Sequence, residues 1–139
     1  MTQDERRVFL IEYLLNEQKK IRMSGIPETA DEQRRLLRSL MNVRMPDPIG
    51  EDFLKVQDEY LQERNRERGI TDVSELTPTK ADDRLFIWQG DITTLKCDAI
   101  VNACNSQMLG CFSALHSCID KAAPISITQV YNKRMARCS

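Results

Sequence analysis

Apolar residues recur every third or fourth position through the first half of the chain and then gather into short continuous runs. From Glu5 to Arg22, Val8, Ile11, Leu14, Leu15 and Ile21 fall near one face with charged residues between them, the spacing of an amphipathic helix. Gly25 and Pro27 supply its stop. Thr29, with Glu32 three residues on, makes a capping-box pattern ahead of Leu36, Leu37, Leu40 and Met41, and so predicts a second helix. Asp47 before Pro48 reads as an N-cap with proline in the first turn. Phe53, Val56 and Tyr60, flanked by Leu54 and Leu61, then carry a third helix to Gly69.

After Ile70 the period changes. The stretch to Asp83, punctuated by Thr71, Thr77, Pro78 and Thr79, has the composition of a linker or short turn and places a domain boundary near Lys80. Leu85, Phe86, Ile87 and Trp88 form an apolar run bounded by Gly90, and Cys97 to Ala103 repeats it through Ala99, Ile100 and Val101. Runs of that length suit buried strands, and two of them about a dozen residues apart predict neighbours in a sheet covered on both faces. The expected fold class is α/β: a helical unit over 1–80, then an α/β unit from 81.

Composition narrows the function. At 139 residues, 41% hydrophobic and 29% charged, the chain has room for one ordinary globular domain or two small ones. A net charge of -1 leaves no global basic field to gather nucleic acid or an acidic membrane. The apolar runs are far shorter than the roughly 20 residues that span a bilayer, and MTQDERR lacks a secretory apolar region, so a cytoplasmic location is expected. The first 80 residues hold 14 basic and 16 acidic side chains, the last 59 only 6 and 5. Even mixing of sign in the helices reads as a solvated face. All five cysteines lie in the second part, and an odd number without a leader favours reduced thiols or metal ligands over a disulfide framework.

Three segments could carry chemistry. Gly90-Asp91-Ile92-Thr93 follows the first run, and Asn102-Ala103-Cys104-Asn105-Ser106 ends the second. By spacing alone Asp91 and Asn105 are either turn residues that satisfy nearby backbone groups or strand-end groups able to hold a nucleoside. Cys111, His116 and Cys118 bring two thiols and the sole histidine within eight residues. Such donors suit zinc and leave a fourth position open. Buried thiols beside a surface histidine, or a thiolate nucleophile with Asp120 as its nearest acidic orienter, are the other readings.

Taken in order, Trp88-Gln-Gly-Asp-Ile-Thr93, Asp98-Ala-Ile-Val-Asn-Ala-Cys-Asn105 and Met108-Leu-Gly-Cys-Phe112, with His116 and Cys118-Ile-Asp120, resemble the macrodomain family. The match is to its zinc-containing branch of microbial protein ADP-ribose hydrolases, which also carries a helical extension before the macrodomain. The resemblance covers residues 1–120. It implies a macrodomain, a three-layer α/β/α fold, of which 81–120 is the N-terminal part. Asp91 is then expected to accept the adenine amine, Ile92 to meet the base through its backbone and Asn105 to hold the distal ribose as the catalytic positioning group. Ile119 and Asp120 are expected to approach the ligand, and Cys111, His116 and Cys118 to hold Zn2+. The implied activity is removal of ADP-ribose from modified protein side chains, with ADP-ribose or an ADP-ribosylated protein as partner and neither nucleic acid nor membrane. Cys104 stands where the family usually has alanine.

The pattern departs from the family after Asp120. Pro124 would break the helix expected there, and the 121–139 tail holds no second glycine-rich loop, so the tail reads as another reading frame that truncates the domain and impairs activity. Two rivals follow from other classes. One is an ADP-ribose-binding module that needs Asp91 and Asn105 but no zinc ligands; the other is a helical interaction protein that works through 1–80.

Overall fold

The structure, a computed structural model, describes residues 1–18, 25–45, 47–101 and 112–115. Helix α1 runs Gln3–Glu17. Its start is fixed by a reciprocal cap in which the Glu5 amide donates to Thr2 Oγ1 (3.2 Å) and the Thr2 amide donates to the Glu5 carboxylate (2.7 Å). That places the helix start two residues ahead of the sequence expectation. It ends at Gln18, short of Arg22, which lies outside the described residues.

Helix α2, Ala30–Val43, begins at the expected cap, Thr29, whose hydroxyl accepts from the Glu32 amide. Helix α3 spans Glu51–Arg68 with Gly50 at its N-cap, so Asp47 and Pro48 do not open it. Their carbonyls instead accept from the Arg44 guanidinium at 2.7 and 3.3 Å, which also grips the Glu17 carboxylate at 2.7 and 2.8 Å. One arginine thus ties the end of α1 to the α2–α3 turn and holds that turn out of helical geometry. Gly69, at φ +84°, ends α3 where expected, in a conformation that only glycine adopts without strain.

Among the described residues, the hydrophobic core lies between these helices. Leu10, Ile11 and Leu14 from α1 meet Leu37 and Leu40 from α2 and Phe53 and Tyr60 from α3, all at 5% exposure or less. Burial of each such side chain contributes about 1.5–3 kcal/mol. Tyr13 sits on the Phe53 ring at 4.8 Å between centroids. At the rim, the Arg6 guanidinium pairs with Glu59 at 2.9 Å and the Gln3 amide donates to the Tyr60 carbonyl, locking α1 to α3.

Beyond α3 the chain makes a small parallel sheet of β1 (Thr71–Asp72) and β2 (Leu95–Lys96), paired Thr71 to Leu95 and Asp72 to Lys96. A ladder therefore joins residues on either side of Lys80. Single 3₁₀ turns follow β1 at Val73–Glu75 and precede β2 at Ile92–Thr94. The chain is thus mixed helix and parallel strand, compatible with an α/β fold.

The strands are not where the apolar runs place them. Leu85–Trp88 is not a strand; Phe86 makes one antiparallel bridge to Pro78, closed by the Thr79 amide donating to the Leu85 carbonyl at 2.7 Å. A buried strand needs a layer on each face, and among the described residues none covers Ile87 at 85% exposure or Val101 at 92%. Within the second run, 97–101 is irregular and 102–103 lies outside the described residues, the strand forming just upstream. No helix among the described residues is long and apolar enough to cross a membrane.

Candidate functional site

The turn ahead of β2 is built by one carboxylate. Asp91 Oδ1 accepts from both the Thr93 amide (3.0 Å) and the Thr93 hydroxyl (2.8 Å), while the Asp91 carbonyl accepts from the Thr94 amide and hydroxyl. Thr94 is buried beneath this turn at 7% exposure. Asp72 repeats the device on Ser74 after β1, so two short-side-chain caps shape the two ends of the sheet. The expected turn role of Asp91 is therefore real, and it leaves Oδ2 for other partners.

Arg68, in the last turn of α3, donates to that Oδ2 at 3.1 Å. Burial pushes the Asp91 carboxyl up, but the Thr93 hydroxyl and amide and the charges of Arg68 and Arg38 outweigh it and hold the group below its ordinary value. Asp91 is consequently an ionised acceptor at neutral pH, about half exposed, with its orientation fixed from two sides. Ile92 sits half-buried in the same turn. Gly90 precedes it against the Trp88 indole, where a Cβ would lie 2.3 Å from Trp88 Cζ2. A side chain at position 90 would have to displace that ring.

Asp91 and Thr93 close one end of a cleft of about 600 Å³ between α2 and α3. Its walls carry Arg34, Arg35 and Arg38 from α2 and Arg64 and Arg68 from α3. Asn42, 1% exposed, also lines it; its Nδ2 donates to the Ala114 carbonyl at 2.8 Å, and its Oδ1 has no hydrogen-bond partner among the described residues. Sequence reading missed this cleft because it took the helical charges for a solvated face. The available signal was the four-residue arginine spacing, 34 to 38 and 64 to 68, on two consecutive helices.

Of the residues singled out from the sequence, the structure places Asp91 and Ile92 together. Asn105, Cys111, His116, Cys118, Ile119 and Asp120 lie outside the described residues. Cys97 is not in a disulfide, and its thiol donates to the Ala99 carbonyl at 3.4 Å.

No family model matches the sequence. The chain is 54% identical over 122 residues to a protein-ADP-ribose hydrolase of Treponema medium, a match that covers 86% of this chain and 47% of that protein. The chain is similar to protein-ADP-ribose hydrolases. A protein-ADP-ribose hydrolase of Staphylococcus aureus strain MRSA252 is 46% identical over 114 residues, 79% of this chain and 42% of the relative. A protein of Fusarium oxysporum f. sp. cubense, named a probable bifunctional ADP-ribose hydrolase/ADP-ribosyltransferase, is 36% identical over 116 residues, 73% of this chain and 19% of its own length. The chain spans less than half the length of these curated hydrolase relatives.

Proposed function

We propose that the chain binds ADP-ribose beside the Asp91 turn, on a macrodomain fold with a helical extension over 1–80, and serves the zinc-dependent removal of ADP-ribose from modified protein side chains. The observation that carries this reading is the 54% identity over 122 residues to a protein of that hydrolytic name. The Asp91 geometry supports it. A carboxylate fixed by Thr93 and held ionised is a ready acceptor for an exocyclic amine, and with the Asp91 side chain half exposed such a donor can share Oδ2 with Arg68 or displace it.

On this reading Ile92 meets the base, Asn105 holds the distal ribose in register, a positioning contribution, and Ile119 and Asp120 line the approach. Cys111, His116 and Cys118 form the zinc site. Two thiolates and an imidazole are a donor set that zinc favours, and three protein ligands leave a fourth position open. When bound, zinc supplies Lewis-acid polarisation of an oxygen. In the reaction, water cleaves the bond joining ADP-ribose to an acidic side chain, releasing ADP-ribose and the free carboxylate.

Calorimetric titration of ADP-ribose into the purified chain, with zinc determined on the same sample, tests the reading. Saturable binding at stoichiometric zinc is expected, abolished by Asp91→Ala. Cys118→Ser should lose turnover and keep binding. Absence of both binding and zinc would overturn the proposal, and binding without turnover in the unaltered chain would replace it with a non-catalytic ADP-ribose module.

A further inference from the structure

Arg68 is the last residue of α3, and Gly69, at φ +84°, turns the chain at once towards β1. Because β1 and β2 run parallel, paired Thr71 to Leu95, the residues just ahead of both strands lie at the same end of the ladder. Arg68 stands three residues ahead of Thr71 and Asp91 four ahead of Leu95. Their meeting is therefore built into the register of the sheet, which the Lys96 to Asp72 pair at 2.6 Å fastens one residue further on. A cation near a helix C-terminus is expected for its own sake, but Arg66 in the same turn meets that need while pairing with Glu63. Arg68 instead reaches out of its helix to the Asp91 turn.

The acceptor positions of Asp91 show what this pair does. A carboxylate offers about four such positions, about two on each oxygen. Those on Oδ1 are taken by the Thr93 amide at 3.0 Å and the Thr93 hydroxyl at 2.8 Å, and one on Oδ2 is taken by Arg68 Nη1 at 3.1 Å. Among the described residues nothing else donates to Oδ2, so one position remains open there, on a side chain 49% exposed. Without Arg68, Thr93 alone would orient the group and Oδ2 would accept from more than one direction. With it, the carboxylate is held at both oxygens and admits a single further donor.

We propose that Arg68, a residue of the helical extension, is a positioning and specificity-determining residue of the adenine site: it leaves Asp91 one acceptor position, set for a single N–H donor such as the adenine amine. The inference rests on the hydrolytic reading above, in which Asp91 meets adenine, and gives the extension a part in that recognition. Arg68 makes a single hydrogen bond to Oδ2 rather than a bidentate one, so the amine binds beside it. A base that carries a carbonyl oxygen in place of the amine has nothing to donate at that position and sets oxygen against oxygen.

The test is calorimetric titration of ADP-ribose, and of its analogue with hypoxanthine in place of adenine, into the full chain and into Arg68→Gln and Arg68→Lys. The unaltered chain should prefer ADP-ribose by at least about tenfold, the order expected for a hydrogen bond to a charged group. Arg68→Gln should cut that preference to about threefold or less, and Arg68→Lys should recover part of it by restoring the cation. The pair is about half exposed and adds little to folding, so the helical circular dichroism of both variants should be unchanged. An equal loss of affinity for the two ligands in Arg68→Gln would make Arg68 merely structural, and tighter ADP-ribose binding would make it a competitor of the amine. Either result overturns the proposal and leaves the hydrolytic reading standing. No ADP-ribose binding, or no preference between the ligands, in the unaltered chain overturns the adenine role of Asp91 and this inference with it.

Discussion

The three helices and the segment from Ile70 to Val101 are held by different forces. Every residue of the described hydrophobic core sits on α1, α2 or α3, whereas the buried residue of the later segment is Thr94, and Leu85, Phe86 and Ile87 stand exposed. A helix satisfies its own backbone and needs only one apolar stripe covered. A two-residue strand has no such independence. The sheet is instead pinned by polar clips, Asp91 on Thr93, Asp72 on Ser74, Lys96 on Asp72 and Arg68 on Asp91. The contrast teaches that the candidate site is mounted on the least self-sufficient part of the described molecule, and is tied to α3 by the Arg68–Asp91 pair. Regions of that kind open at lower free energy than a packed core.

The largest effect should come from the core. Phe53 is 2% exposed, packed against Tyr13 and surrounded by residues of all three helices. Phe53→Ala should destabilise the chain by about 3–5 kcal/mol, read as a drop in the thermal midpoint of helical circular dichroism. Because α3 carries the anchor for Asp91, the β1–β2 pairing should be lost with it. Survival of the sheet after the helices melt would break the comparison by making the later segment independent.

A smaller, local effect is expected at Gly90. A Cβ there meets the Trp88 indole at 2.3 Å, inside any permitted contact, so the ring must move. Overpacking of this kind costs about 1–3 kcal/mol, and here it should fall on the turn alone. In Gly90→Ala the fluorescence of the only tryptophan should shift while the helical midpoint stays put. A fall in that midpoint as large as that of Phe53→Ala would make the turn part of the core.

The helices were legible because their signals are local. Thr29 and Glu32, the Leu37 and Leu40 stripe and Gly69 are where the pattern puts them. The start of α1 was written in Thr2 and Glu5, the same capping pattern met earlier in the chain. The start of α3 was not, since the grip of Arg44 on the Asp47 and Pro48 carbonyls is a tertiary contact that outweighs the Asp-Pro signal. Strand placement failed for a related reason. An apolar run such as Leu85–Trp88 announces a need for burial without naming its partner, and the ladder formed through Thr71 and Asp72, which look like linker. At the site, the turn chemistry of Asp91 could be read from Gly-Asp-Ile-Thr, but its pairing with Arg68 needed the packing of α3.

The smallest effect separates the two regions by pH. The Lys96 ammonium at 2.6 Å, with the Ser74 amide and hydroxyl, holds the Asp72 carboxyl far below its ordinary 3.8, and Lys96 is raised in return. A carboxyl lowered by folding binds fewer protons in the folded state than in the unfolded one. Its contribution is therefore complete above about pH 4 and fades as pH falls through the lower folded value. Lys96 works in the opposite sense, its share being complete below its ordinary 10.5 and fading as pH rises beyond it. The sheet should be steadiest between these limits and loosen towards acid before the helical core does, because that core is apolar. The amide chemical shifts of Thr71 and Lys96 should move towards unstructured values on acidification while helical circular dichroism persists. Asp72→Asn should remove most of that dependence by deleting the titrating partner. Coincident acid midpoints for sheet and helices would instead mean that the polar clips and the apolar core unfold as one unit.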